Sequence, residues 1–197
     1  MRALGAPGAA VLVNALNARM AKEAMTKVAE LVGQLGDPAA KTRTAQRLIE
    51  IEREMEAEPF LEWLKGTIRA QLQAAASPGA AVNEVRVTEV ATFNRESFIN
   101  DAALPAMKYL ADQPNVAARL LEIASQPSVE GDLLSERRKR SLMALEGKAT
   151  QAMLQQLLTI ALDPQAPTAV RDYSFDRVGD IRSAEALPRL WPIVSNV

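Results

Sequence analysis

The chain has 197 residues and a formal net charge of −1, with 48% hydrophobic and 24% charged residues, a composition that excludes an intrinsically disordered protein. The near-zero net charge argues against a protein held on nucleic acid by bulk electrostatics, because such proteins usually carry a strong basic excess. The lack of cysteine and histidine excludes disulfides, thiolate nucleophiles, Ser-His and Cys-His dyads, and metal sites built on those residues.

The N-terminal segment "MRALGAPGAAVLVNALNARM" holds only a short apolar run that glycine and proline interrupt. A membrane-spanning helix needs about 18 or more consecutive apolar residues, and no run in the sequence approaches that length. The segment matches a signal peptide only weakly, so we predict an ordinary helix here and no membrane span. We assign a cytoplasmic location by default, with the cell envelope as the alternative if a fragment has lost its signal.

Residues that favour helices dominate the composition. Aromatic residues make up only 4% of the chain, whereas Ala, Leu, Glu, Arg, Gln and Met lose little on entering a helix. Apolar residues also recur at the i, i+3, i+4, i+7 spacing of amphipathic helices. The stripes are Val28, Leu31, Val32 and Leu35; Ala45, Leu48, Ile51 and Met55; and Phe60, Trp63, Leu64, Ile68 and Leu72. We therefore predict an all-α fold.

The segment "IEIEREMEAE", residues 49–58, is ambiguous between strand and helix because every second residue from Glu50 is a glutamate. Its Glu, Met and Arg content favours a helix. On a helix Glu50, Glu54 and Glu58 lie on one line, where their like charges repel. We interpret these residues as a solvated face; the alternatives are an acidic surface for a basic partner and a metal or catalytic pair.

Residues that break helices recur along the chain. They are Gly36-Asp37-Pro38, Glu58-Pro59, Ser77-Pro78-Gly79, Asn100-Asp101, Gln113-Pro114, residues 126–132, Gly147, residues 163–167 and residues 179–183. This spacing predicts about ten short helices in tandem. Such a series forms either a closed bundle or a solenoid.

The basic run "ERRKR" at residues 136–140 opens a helix that continues with apolar residues. We take Arg137, Arg138, Lys139 and Arg140 as candidate partner-binding residues. Three interpretations stay open: a solvated helix face paired with nearby acids, a contact with phosphate or nucleic acid, and a surface for an acidic protein. No aromatic residues interleave the run, which argues against base stacking.

A glycine pattern repeats along the chain. The segments "LGAPGAA", "VGQLGDPAA" and "VGDIRSAEA" align Gly5, Gly33 and Gly179, each followed by small residues and a new helix. An Ala-Leu-Pro triplet also falls near a helix start in both "DAALPAMKYL" and "SAEALPRLWPIV". Internal repetition of this kind favours a solenoid over a closed bundle.

The repeat residues are Asp163, Val170-Arg171, Val178-Gly179-Asp180-Ile181 and Ala186-Leu187-Pro188. Together they resemble one HEAT repeat of the bacterial type labelled phycobilisome-lyase-like. The resemblance implies an α-solenoid of about five antiparallel helix pairs in a single region over residues 1–197. Repeats are regular at 1–50 and 140–197, and the helices between them are degenerate. Both ends fall inside a repeat, so we expect a fragment of a longer array.

The repeat residues have predicted structural roles. Gly179 is expected to end a helix at positive φ, with Asp180 capping or turning the chain behind it. Pro188 is expected in the first turn of the next helix, where a missing N–H matters least. The resemblance implies that Arg171 pairs with an acidic residue such as Asp163.

These observations predict a non-catalytic scaffold that binds another protein through the concave face of a HEAT-like solenoid. No catalytic, cofactor-binding or metal-binding residue is assigned, and no small-molecule cofactor is expected. Two alternatives stay open: an accessory, lyase-like or chaperone-like protein, and a nucleic-acid-binding helical repeat. The second would place residues 137–140 beside other basic side chains on the concave face.

Overall fold

The computed structural model describes residues 6–75, 81–182 and Pro188, and its regular structure there is helical with no strand, which confirms the all-α prediction. The helices are α1 Ala6–Ala15, α2 Lys22–Leu35, α3 Pro38–Glu56, α4 Glu58–Ala75, α5 Glu84–Phe98, α6 Leu104–Lys108, α7 Pro114–Ala124, α8 Leu133–Ala144, α9 Leu154–Leu162 and α10 Thr168–Ile181. A π-helical turn, Ile99–Ala103, joins α5 to α6, and a 3-10 turn, Gln151–Met153, precedes α9. In the described part of the chain, no helix has the length and apolar character needed to cross a membrane.

Capping side chains set where several helices begin. Asp37 precedes α3 and accepts a hydrogen bond from the Ala40 N–H at 2.6 Å, while Pro38 occupies the first helical position. Asn83 precedes α5 and accepts from two backbone N–H groups of its first turn. Asp132 precedes α8 and accepts from the Ser135 N–H of its first turn. These caps satisfy N–H groups that have no partner within a helix.

The chain forms two compact units, Met1–Tyr109 and Leu110–Val197. In the first unit, α5 packs on α4, while the π-helical turn and α6 pack on α2 and α3. Its core contains large side chains that are fully buried: Met25, Leu48, Ile51, Met55, Ile99, Leu104 and Met107. The burial of Ala45, Leu48, Ile51 and Met55 confirms the predicted stripe of α3, including its helical assignment.

The second unit has a core of its own. Helix α7 packs on α8 and α9, and α10 packs on α8 and α9. The fully buried apolar side chains include Leu120, Ile123, Leu142, Leu157 and Val170. Each helix therefore contacts helices one or two positions away in the sequence, which both a bundle and a stack of helix pairs allow.

The first unit departs from the simplest solenoid arrangement. In a solenoid each repeat contacts only its neighbours, whereas α2 packs on α6 although α3, α4 and α5 lie between them in the sequence. This return of the chain onto an earlier helix is typical of a closed bundle.

The two described repeat glycines both lie inside helices. Gly33 lies inside α2, and Gly179 lies inside α10, which continues to Ile181. The left-handed residue at the end of α10 is Arg182, with φ 52°. The prediction of Gly179 as a positive-φ helix end is therefore wrong, because the helical hydrogen bonding continues past it. Gly5 lies outside the described residues.

Two further repeat expectations also change. Arg171 donates a hydrogen bond to the Thr168 hydroxyl at 3.4 Å, and Asp163 accepts one from the Gln165 N–H at 2.9 Å. The predicted Arg171–Asp163 pair is thus replaced by local contacts on each side. Pro188 is helical and exposed, and its flanking residues 183–187 and 189–197 lie outside the described part of the chain.

The predicted break at Asn100-Asp101 is absent. The chain passes from α5 through the π-helical turn into α6 without leaving a helical conformation. Pro105 follows directly on this turn, at the start of α6. The polar pair Asn100-Asp101 marks a widened helical turn rather than a loop.

Candidate functional site in the second unit

An apolar cleft of about 450 Å³ lies in the second unit, between α7 and the segment that leads into α9. Its volume falls in the range of pockets that bind ligands in proteins. Its apolar lining residues are Ala111, Pro114, Ala117, Ala118, Leu121, Ala152 and Met153, and its polar ones are Asp112, Lys148, Thr150 and Gln156. A mainly apolar surface with a few polar groups is the usual composition of a binding site.

One wall of the cleft is a face of α7. Pro114, Ala117, Ala118 and Leu121 follow the i, i+3, i+4, i+7 spacing of one helix face. At 1.5 Å per residue, this face is about 10 Å long. The two alanine side chains in its middle are short, so a bound ligand can come close to the backbone of α7.

The opposite wall is fixed by hydrogen bonds from α9. The Gln156 side-chain amide donates to the Ser125 hydroxyl at 2.8 Å and to the Leu121 carbonyl at 3.4 Å. The Ser125 hydroxyl itself donates to the Leu121 carbonyl at 2.8 Å. These bonds tie the start of α9 to the C-terminal end of α7 and set the width of the cleft at that point.

The turn that carries Lys148 is anchored on α10. Gly147 takes a positive φ of 66°, which its missing side chain makes accessible. Its N–H donates to the Asp180 carboxylate at 3.1 Å, and that carboxylate also pairs with the Arg177 guanidinium at 3.0 Å. Asp180 thus positions this turn from within α10.

The cleft presents charged and polar groups that the rest of the fold does not use. Among residues 6–75 and 81–182, the Lys148 ammonium, the Thr150 hydroxyl and the Asp112 carboxylate make no hydrogen bond or ion pair. All three residues are exposed. The arrangement offers one cation, one anion and one hydroxyl beside an apolar floor, which is chemistry for recognition of a ligand.

The basic run at residues 136–140 is largely engaged within its own unit. Arg138 is 2% exposed and donates to the Ala124 carbonyl at 2.7 Å and to the Ser128 hydroxyl at 2.8 Å. Burial lowers the pKa of the Arg138 guanidinium, and the charges of Asp163 and Asp132 oppose that effect. A guanidinium held in this way is a structural link between α8 and the end of α7.

The other members of the run divide between burial and pairing. Arg137 is 8% exposed, so the expectation of a solvated or phosphate-binding face is wrong for Arg137 and Arg138. Lys139 and Arg140 both pair with Glu136 on their own helix. Partial burial raises the pKa of the Glu136 carboxyl, but hydrogen bonds from Lys139 and Arg140 outweigh it and leave that pKa below its usual value.

The glutamates of α3 are held mainly by neighbouring side chains. Arg47 pairs with Glu50 at 3.3 Å and with Glu54 at 2.7 Å, which offsets the repulsion along this line. A hydrogen bond from Gln46, followed by that from Arg47, lowers the pKa of the Glu50 carboxyl. Glu52 is fully buried. In the described residues no group of three or more acidic side chains could hold a metal ion.

A polar network links α2 to the π-helical turn of the first unit. The Lys22 ammonium donates to the Ser97 hydroxyl and lies 3.5 Å from the Asp101 carboxylate, to which Ser97 donates at 2.7 Å. A lysine beside a serine is found in some acyl-transfer enzymes, where the neutral amine acts as the base. Here Lys22, Ser97 and Asp101 bond to one another and link α2 to the end of α5 and the π-helical turn.

Trp63 takes part in an aromatic cluster of the same unit. Its ring lies 5.2 Å from that of Phe60 and 6.4 Å from that of Phe98, and the Arg19 guanidinium sits 5.1 Å above it. Lys22 stacks over Phe98 in the same way, at 5.4 Å. The cluster packs α4 against α5 and the segment before α2.

The sequence did not predict the cleft, because its two walls are about 30 residues apart in the chain and are joined only by packing. The α7 face carries the one available signal, a run of small apolar residues at helical spacing without a large side chain at its centre. Comparison of the chain with models of protein families, with curated proteins and with solved structures finds no match.

Proposed function

We propose that this protein is a non-catalytic interaction scaffold and that the cleft beside α7 is where it takes hold of a protein partner. The observation that carries the proposal is the combination of an apolar floor with Lys148, Thr150 and Asp112, whose polar groups are left available at its edge. Buried polar groups elsewhere in the unit, such as Arg138, are used internally. Free polar groups beside an apolar surface are typical of a site that awaits a partner.

The size of the cleft limits the kind of contact. Stable interfaces between folded domains bury about 1,200–2,000 Å² in total, and a cleft of about 450 Å³ provides only a small part of such a surface. A short segment of a partner would fill it. Affinity would then come from a few apolar anchors, with the surrounding polar groups setting orientation.

The finer architecture belongs to the same proposal. The resemblance of residues 140–197 to a HEAT repeat supports a stack of helix pairs in the second unit, and α7 to α10 pack with helices near them in the sequence. In such a stack one helix of every pair lines the binding surface. Helix α7 would be the lining helix next to the cleft.

The proposal is tested by filling the cleft. Ala118 is exposed on α7 and lines the cleft, so Ala118→Trp should occupy the site without touching the core. Ala70→Trp, on the exposed face of α4 in the first unit, is the matched control. Proteins cross-linked to the chain in the source cell are compared among the parent chain and the two variants by quantitative mass spectrometry.

We expect at least one protein whose recovery falls about tenfold or more with Ala118→Trp and is unchanged with Ala70→Trp, since a tenfold loss corresponds to about 1.4 kcal/mol of binding free energy. Thermal unfolding of both variants shows whether the fold is retained. Recovery that responds equally to both substitutions, or to neither, would contradict a docking role for the cleft.

A further inference from the structure

We propose that the occupant of the cleft is an amphipathic helix of the partner protein, with its apolar stripe on α7 and an acidic side chain placed to meet Lys148. This inference rests on the proposed function and specifies the chemistry of its partner. The length and the surface shape of the cleft favour a helix as its occupant. The positive charge of Lys148 at its edge favours an acidic residue on that helix.

The length of the apolar wall suits a helix. The apolar residues of α7 that line the cleft, from Pro114 to Leu121, extend over two helical turns, about 10 Å, and Pro114 and Ala118 are the exposed ones among them. Peptide helices that dock in grooves use anchors at i, i+3 or i+4, and i+7, which span the same distance. An extended peptide would cover this length with only about three residues, at roughly 3.3 Å per residue.

The floor of the cleft also suits a helix. Ala117, Ala118 and Ala152 are small, so the axis of a second helix can come close to α7. Helices pack at interaxial distances of about 8–10 Å, at the short end when small side chains lie at the contact. Met153, which is half-buried, then supplies the larger apolar contact, and its unbranched side chain can adapt to the bound helix, whereas Leu121 is 5% exposed and forms part of the floor.

The charged groups at the edge of the cleft determine which polar residues the bound helix should carry. The Lys148 ammonium and the Thr150 hydroxyl belong to the segment between α8 and the 3-10 turn and make no polar contact among residues 6–75 and 81–182. An acidic side chain can accept hydrogen bonds from both groups, which a basic side chain cannot do. The Asp112 carboxylate favours a basic or neutral donor where the partner passes it.

The test is a selection for binding helices on the full chain. The displayed library consists of amphipathic 14-residue peptides, which form a helix about 21 Å long. A leucine stripe is kept constant, and the positions beside it are randomised. Binders are selected on the parent chain and on Lys148→Glu in parallel, with counter-selection against Ala118→Trp. Lys139→Glu, at a half-buried position of α8 where the lysine pairs with Glu136, lies outside the cleft lining and is the control for a change of charge.

We expect acidic residues to be enriched beside the stripe on the parent chain and on Lys139→Glu, and basic residues at the same position on Lys148→Glu. A selected peptide should bind Lys148→Glu about three- to tenfold more weakly, the size of an exposed ion pair turned into a repulsion. Exchanging the acid for lysine in the peptide should restore the affinity.

Two results would overturn the inference. If peptides selected on the parent chain bind Lys148→Glu with unchanged affinity, the acidic residue is not part of the contact. If no selected peptide loses its binding with Ala118→Trp, the occupant of the cleft is not a helix. In the second case, a partner cross-linked in the cell and lost with Ala118→Trp would leave the interaction scaffold in place with a different kind of bound segment. If neither a selected peptide nor a cross-linked partner is lost with Ala118→Trp, the proposed function is contradicted as well.

Discussion

Gly33 shows how one missing side chain shapes the first unit. It lies inside α2, and a Cβ placed there would stand 2.6 Å from the Tyr109 backbone carbonyl oxygen and 3.2 Å from the Tyr109 Cβ. Backbone atoms cannot rotate away from such a contact, so an added methyl group forces the helix and residue 109 apart. The glycine of the repeat pattern is required for close packing rather than for a turn.

We predict that Gly33→Ala lowers the free energy of unfolding. The substitution gains about 1 kcal/mol of helix propensity, but overpacking against backbone costs about 1–3 kcal/mol or more, and the contact at 2.6 Å places it at the upper end. We expect a net loss of about 1–2 kcal/mol, measured by urea denaturation.

Gly66 provides the matched control. It lies inside α4 and a Cβ there would meet nothing within 4 Å, so Gly66→Ala should raise the free energy of unfolding by about 0.5–1 kcal/mol. Equal effects of the two substitutions would show that the close approach at Gly33 does not limit packing.

The burial of Arg138 was not predicted from the sequence. A run of charges is usually solvated, which led to the expectation of an exposed basic face. The spacing held a contrary signal, because Arg138, Leu142 and Leu145 lie at i, i+4 and i+7, and all three are buried. Glu52 continues the buried stripe of α3 in the same way, beside Leu48. A charged residue on an apolar stripe can be recognised, but its buried partners cannot be read from one segment.

At the scale of elements, helix ends were predictable where their cause is local. The ends at Pro38 and Pro114 follow from the proline itself and the residue before it. The continuation through residues 99–103 depends on packing against α2 and α3, which lie far away in the sequence. Tertiary contacts there override the turn preference of Asn100-Asp101, and no local pattern reveals it.

The pairing of α4 with α5 includes a two-bond ion pair between Arg69 and Glu84. The guanidinium donates to the two carboxylate oxygens at 2.8 and 2.7 Å. This hydrogen bonding, together with the charge of Arg69, holds the pKa of the Glu84 carboxyl below its usual value. Both side chains are exposed, so the pair is also screened by salt.

The sign of the pH dependence follows from that lowered pKa. Because the pKa of Glu84 is lower in the folded than in the unfolded chain, the pair stabilises the fold fully above the unfolded value of about 4.3. This contribution is lost as the pH falls through the folded pKa. We predict that Glu84→Gln lowers the urea midpoint at pH 7 and that the difference from the parent chain shrinks below pH 4.

The same measurements at high salt and on a control variant isolate the ion pair. Added salt should reduce the difference at pH 7, because screening weakens exposed pairs. Glu89→Gln, on an exposed position of α5 whose carboxylate makes no ion pair in the described part of the chain, should show a smaller effect. A difference that stays constant from pH 7 to pH 3 would contradict this origin.

At the scale of the whole molecule, the division into two units was not visible in the sequence. Short linkers and helical stripes continue across residues 109–110 without a change of composition, so the repeat pattern suggested one region over residues 1–197. The units are distinguished by which helices share a core, and that depends on contacts between distant residues. The cleft was hidden for the same reason, since its walls meet only after the second unit has packed.

Each unit has its own buried core, so each should unfold as a cooperative step of its own. We predict that Gly33→Ala speeds amide hydrogen exchange only in peptides from residues 6–109. Arg138→Ala removes a buried guanidinium and leaves the Ala124 carbonyl without its hydrogen bond, at a cost of about 2–4 kcal/mol. Its effect should be confined to peptides from residues 110–182.

Hydrogen exchange measured by mass spectrometry on the full chain checks both variants in one experiment, because exchange of core amides reports the opening free energy of the unit that contains them. Arg140→Ala is the control for the second unit, since Arg140 pairs with Glu136 at a half-exposed position and should cost about 0.5 kcal/mol or less. A common shift of both sets of core peptides in either variant would show that the two units unfold together.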